Sequence, residues 1–158
     1  MIEARWRLGS WLLAGGLAAG LACGPDPSLA TGPTATIRDR VVQLEIARTD
    51  AEQTQGLSDR ASLDWHSGML FVYDGADFRS FWMLRMHFDI DIVWIRDGRI
   101  VSIARFVPHP RDTSQPLATV RSPELADAVL EVPAGYAQAN GWRRGDRVTF
   151  DLRATAKP

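Results

Sequence analysis

A single cysteine, Cys23, stands in the 158 residues, so no intramolecular disulfide is available and the fold must rest on its apolar core. Charge of one sign is equally scarce. Eighteen basic and 19 acidic residues nearly cancel, and no basic block stands out. That removes the clustered basic footprint of a nucleic-acid binder. The chain has no His-Glu-x-x-His pair, no Gly-rich phosphate loop and no Gly-x-Ser-x-Gly elbow, which excludes the common zinc-protease, nucleotide and hydrolase signatures. Internal repeats, heptads and helix-length periodic segments are also missing. Without them there is no solenoid, no coiled coil and no basis for a doubly wound sheet. The expectation is a chain with no cofactor and no metal.

What is present begins with an export pattern. Arg5 and Arg7 form a basic start, offset by Glu3, and the fifteen residues from Leu8 to Ala22 carry no charge. A membrane span needs about 20 apolar residues, so this run suits the core of a signal peptide better than a permanent helix. It stops at Cys23-Gly24-Pro25, with small Gly20 and Ala22 before the thiol. A thiol at such a junction resembles the acceptor of a bacterial lipoprotein signal, although Gly20 occupies the place where that signal prefers Leu. The same small residues suit an ordinary signal peptidase, which leaves soluble secretion and an uncleaved anchor as alternatives. Division of the chain follows: signal peptide 1–22, lipidated Cys and Pro/Gly-rich tether 23–37, one domain 38–154, and a tail 155–158. Removing residues 1–22 leaves 16 basic and 18 acidic residues, formally −2.

Short strands dominate the domain. Val42, Leu44 and Ile46 alternate with Gln43, Glu45 and Ala47, the two-residue period of a half-buried strand. Thr49 and Glu52 have the spacing of a capping box, and Gly56 limits the helix that follows to one or two turns. Further strands are predicted at 68–73, ended by Asp74-Gly75, and at 80–83, 90–95, 129–132 and 148–152. Asp97-Gly98 reads as a tight turn between β-branched runs, and 136–140 allows a short helix. The fold class is therefore mainly β: a compact antiparallel sandwich or partly closed barrel with one or two short helices. A small α+β domain is the competing arrangement.

The string SFWMLRMHFDIDIVWIRDGRIVSI, from Ser80 to Ile103, resembles the bacterial and archaeal family called domain of unknown function 192. Gly56-Leu57 with Arg60, Gly68-Met69-Leu70-Phe71-Val72, Val129-Leu130-Glu131-Val132, Ala134-Gly135 and Gly141 with Gly145-Asp146 match it in order, over residues 41 to 152. The resemblance implies a compact, mainly antiparallel β fold and frequent export; it implies no reaction. This chain departs from the pattern at Ser58, where Met is frequent, at Asp89, where Pro is usual, and at Arg85-Met86, where many members have Asn-Thr.

Four residues inside the matching elements form the candidate ligand or partner site: Arg60, Trp82, Asp91 and Glu131. An Arg and two carboxyls can hold a polar ligand against an indole face. The competing reading makes Arg60 and one acid a structural ion pair and puts Trp82 in the core. If 85–91 is a regular strand, Arg85, His87, Asp89 and Asp91 share a face, most simply a solvated one with Arg85 neutralising the acids. His66 and His109 read as loop histidines. The leading function is a non-catalytic, lipid-tethered accessory or ligand-binding domain facing the periplasm, on the outer membrane by preference. Its partners are the membrane and either a polar small molecule or an envelope protein. A hydrolase or isomerase using Asp91 and Glu131 as acid and base is one alternative, provided the two carboxyls converge. A structural envelope protein is the other.

Overall fold

The computed structural model describes residues 32–111 and 119–153; residues 1–22, read as a signal peptide, Cys23 and the expected tail at 155–158 lie outside them. The chain order is β1 (Thr34–Ile37), β2 (Arg40–Ala47), α1 (Asp50–Gln55), β3 (Ser67–Asp77), β4 (Ser80–Trp82), β5 (Ile90–Arg96), β6 (Arg99–Val107), β7 (Thr119–Arg121), β8 (Ala126–Pro133), α2 (Tyr136–Ala139) and β9 (Val148–Asp151). Seven strands form one sheet in the order β6-β5-β8-β3-β2-β1-β9, and β4 pairs with β7 in a separate ribbon. The sheet curls until its edges approach. Val148 N–H donates to the Gly98 carbonyl at 2.9 Å and Ile100 N–H to the Asp146 carbonyl at 3.0 Å. The result is a half-closed barrel with two short helices, the mainly β fold expected from the sequence.

Among the described residues, strand pairing is antiparallel with one exception. β2 and β3 run parallel, in the register Leu44 to Gly68 and Ile46 to Leu70. The segment between them, α1 and its following loop, carries the chain back to the start of the next strand, as a parallel pair requires. The predicted capping box holds: Glu52 N–H donates to Thr49 Oγ1 at 3.2 Å, and Thr49 N–H donates to the Glu52 carboxyl at 2.9 Å. Asp97 and Gly98 turn the chain with φ of 51° and 66°, also as expected.

Several local expectations need correction. Thr34–Ile37 falls within the stretch read as tether, yet it is a strand whose Ala35 and Ile37 are fully buried against β2 and β9. β3 continues past Asp74-Gly75 to Asp77, through an irregularity in its pairing with β8. Residues 83–89 form no strand. Arg85 has φ of 52°, and the strand begins only at Ile90, so Arg85, His87, Asp89 and Asp91 share no common face.

Alternation in the central strands β3, β5 and β8 generates two cores, one on each face. Leu70, Val93, Ile95, Leu130 and Val132 point into the barrel, where Tyr136, Ala137 and Trp142 fill its end. Met69, Phe71, Ile92, Trp94 and Val129 point outward and are covered by Leu57, Phe81, Met83 and Met86. Burial on both faces explains why β5 lacks a polar alternation, in keeping with the run IDIVWI.

Candidate functional site

The register of β5 and β8 decides where the two candidate carboxyls go. Asp91 stands opposite Val132, and Ile92 stands opposite Glu131. Directly opposed residues share a face, so Asp91 joins the barrel side while Glu131 joins the outer side. The two acids sit on neighbouring strands with the sheet between them. They do not converge, and the condition attached to a shared acid–base role is not met.

Asp91 is fully buried and its oxygens are filled by backbone donors. Phe106 N–H (2.8 Å) and Gly135 N–H (3.0 Å) donate to Oδ1, and Ala137 N–H (3.0 Å) donates to Oδ2. Gly135, with φ of 85°, offers α2 no side-chain cap, so Asp91 supplies from β5 the acceptor that a capping residue would bring. Phe106 has φ of 54° and its ring lies against Gly135. Asp91 thus fixes β6 and the start of α2 to the centre of the sheet. This is neither the solvated position nor the ion pair with Arg60 considered from the sequence.

Arg60 pairs instead with Glu45, through two hydrogen bonds of 2.5 and 2.7 Å. That contact draws the Glu45 carboxyl below its ordinary range. The pair is partly exposed and borders a shallow cleft with Gln55, Gly56 and Met69.

Glu131 has the opposite environment. On the outer face it lies between Met69 and Ile92, and only 5 % of it is exposed. No described residue hydrogen-bonds its carboxyl, and burial pushes its pKa up to about 8. It is therefore mainly protonated at neutral pH, a donor and an acceptor in one group. Above it opens a cleft of about 340 Å³, bounded by α1, the Gly56-Leu57-Ser58 turn, β3, β4 and Met86. Phe71 and Phe81 meet edge to face with centroids 4.9 Å apart, and Tyr73 and the half-exposed Trp82 complete an aromatic surround.

The cleft walls are tied together by polar contacts. Gln53 Nε2 donates to the Val72 carbonyl at 3.0 Å, holding α1 on β3. Ser58 Oγ donates to the Leu84 carbonyl at 2.7 Å, and Arg85 Nε donates to both Asp59 oxygens at 2.8 and 2.9 Å. Both members of that pair have positive φ, at 64° for Asp59 and 52° for Arg85. Two loops distant in sequence are clasped into one wall. Asp89, left outside the strand, pairs with His109 Nδ1 at 2.6 Å, and His66 lies edge-on to Tyr136; both histidines are loop residues, as read from the sequence.

Of the four candidate residues, the structure brings Trp82 and Glu131 to one cleft. Arg60 is at the adjoining one and Asp91 is on the far face. Sequence reasoning missed Gln53, Tyr73, Phe81 and Met86. The parity of Phe71 and Tyr73 with Met69 along β3 was a usable signal, but it became informative only with the β3–β8 register. Among the described residues no group of three or more His, Cys, Asp or Glu is placed to hold a metal, and no helix is long and apolar enough to cross a membrane.

These features define a small, curled β domain with one aromatic cleft on its outer face. The chain belongs to the family of domain of unknown function 192, described as uncharacterized ACR, whose profile matches residues 33–150. It is similar to the crystal structure of a protein of unknown function from Novosphingobium aromaticivorans. The two are 31 % identical over 74 % of this chain and 82 % of that one, with a TM-score of 0.65. A candidate transcription regulator from Sinorhizobium meliloti is similar as well, at 26 % identity over 77 % of this chain and 96 % of that one, with a TM-score of 0.66. No curated protein matches.

Proposed function

We propose that the chain is an exported, lipid-tethered accessory domain that binds a small molecule of mixed polar and apolar character in the cleft above Glu131. One observation carries the binding role: a buried carboxyl without a described partner forms the floor of an aromatic cleft. A hydrogen bond from a ligand's polar group to such a carboxyl would contribute about 0.5–1.5 kcal/mol. The Trp82 face, half exposed at the rim, offers stacking area that core packing does not use. The export half of the reading rests on the basic start, the apolar run to Ala22 and the thiol at Cys23. It places the domain on the periplasmic side of a membrane, with the outer membrane favoured by Gly24 at the second mature position.

An acid–base enzyme using both Asp91 and Glu131 has no support from the geometry, since the carboxyls face opposite ways. The transcription label of the Sinorhizobium meliloti protein has no counterpart in the charge pattern here, which is formally −1 without a basic cluster. Two measurements test the proposal. Intact mass of the membrane fraction is expected to show lipid on Cys23, with Cys23→Ala releasing the protein or blocking its processing. A mature product that begins at Cys23 and carries no lipid would leave secretion and remove the tether. For the cleft, a small-molecule screen of the full chain by amide chemical shifts is expected to give hits that move Phe81, Trp82 and Met86; hits confined to other surfaces would contradict it.

A further inference from the structure

The chemistry of the cleft narrows the ligand further, granted the binding role proposed above. Among the described residues, its lining contains two carboxyl groups, Asp50 and Glu131, and neither Lys nor Arg. Four aromatic residues, Phe71, Tyr73, Phe81 and Trp82, line the same cleft as the buried acid. Aromatic faces attract cations through their quadrupoles, most strongly where water is excluded. An anion, in contrast, would meet the Asp50 carboxylate with no base among the described lining residues.

We infer that the cleft takes an organic cation, an ammonium group seated among the aromatic rings with its charge toward the Glu131 carboxyl.

The groups packed around Glu131 fit this assignment. On β3, Met69 separates it from the Glu45–Arg60 pair, whose charges already compensate each other. Tyr73 is raised by burial, with Arg79 opposing, and is held beneath the Arg79 guanidinium, whose centre lies 3.7 Å from the ring. Arg79 is bonded to the Gly75 and Ala126 carbonyls and does not line the opening. Ile92 closes the β5 side, α1 contributes Asp50, and β4 and the Met86 loop contribute no charge. When an ammonium enters, Glu131 gives its proton to solvent and the resulting carboxylate pairs with the ligand. The cation keeps its own protons, so one proton leaves per cation bound.

Choline, its uncharged isostere 3,3-dimethylbutan-1-ol, and methyl β-glucoside distinguish the possibilities. Each is titrated into the full-length protein at pH 7 and followed by amide shifts and by calorimetry in two buffers of different ionisation enthalpy. Choline is expected to bind about tenfold more tightly than the isostere. It is also expected to release on the order of one proton. Glu131→Gln, which mimics the protonated acid in shape, is expected to remove both the preference and the release. Trp82→Leu, at an exposed site, is expected to weaken choline while leaving the amide spectrum folded. Equal affinity for the isostere, a preference that survives Glu131→Gln, or binding of the glucoside alone would overturn the cation assignment and leave a ligand cleft. If none of the three moves Phe81, Trp82 or Met86, the cation assignment and the cleft reading fall together.

Discussion

Asp91 and Glu131 are buried to nearly the same extent on adjacent strands, yet the two faces of the sheet treat them in opposite ways. On the barrel face, three backbone N–H groups converge on Asp91. On the outer face, Glu131 meets Met69, Ile92 and an open cleft, and burial alone governs its protonation. The lesson is that burial of an acid does not identify a site. What distinguishes architecture from an available functional group is whether the fold has already satisfied it.

Breaking the comparison at Asp91 has the largest expected effect. Asp91→Ala leaves three N–H groups, one buried and two partly buried, without their acceptor, a loss of about 3 kcal/mol in urea melts. Asp91→Asn keeps one acceptor oxygen and is expected to lose less. Ligand binding per folded molecule stays unchanged in both; a selective binding loss in a variant of normal stability would contradict the architectural assignment.

Glu131 gives the next effect, in its pH dependence. Its folded pKa is raised from 4.5 to about 8, so the folded state holds the proton more tightly. Its stabilising contribution is full below about pH 4.5 and is lost as the pH rises through 8, a change on the order of a few kcal/mol. Glu131→Gln is expected to remove this slope, matching the wild type below about pH 4.5 and exceeding its stability at neutral pH. A wild-type slope that persists in the variant would assign it to other groups. At the cleft rim, Trp82→Ala is expected to lower affinity for a cleft ligand by about tenfold while shifting stability by less than about 1 kcal/mol. Smallest is Arg60→Ala. Its partly exposed pair with Glu45 is expected to contribute about 0–1 kcal/mol, read from denaturant midpoints.

Much of this architecture was legible in the chain. The Thr49/Glu52 capping box, the Asp97-Gly98 turn and the strand cores near Met69, Val93 and Leu130 all have local causes, and the structure contains each. Pairing is not local. Nothing within Thr34–Ile37 announces that β1 lies between β2 and β9, because its small and hydroxylated residues resemble the Pro/Gly-rich segment before it. Likewise, the period-two pattern through His87 suggested a strand where Arg85 takes a left-handed conformation and reaches Asp59. The site was half legible for the same reason. Trp82 and Glu131 stood out as residues, but shifting one strand by a single residue would have put Asp91 and Glu131 on one face.

Direct titration of the Glu131 side-chain carboxyl, by its ¹³C shift in the full-length wild type and assigned with Glu131→Gln, tests the central contrast most closely. The account predicts a midpoint near 8, falling when a cation occupies the cleft. A midpoint near the ordinary 4.5 would mean that the carboxyl is already solvated or paired, and would contradict the desolvated acid on which the cleft reading depends.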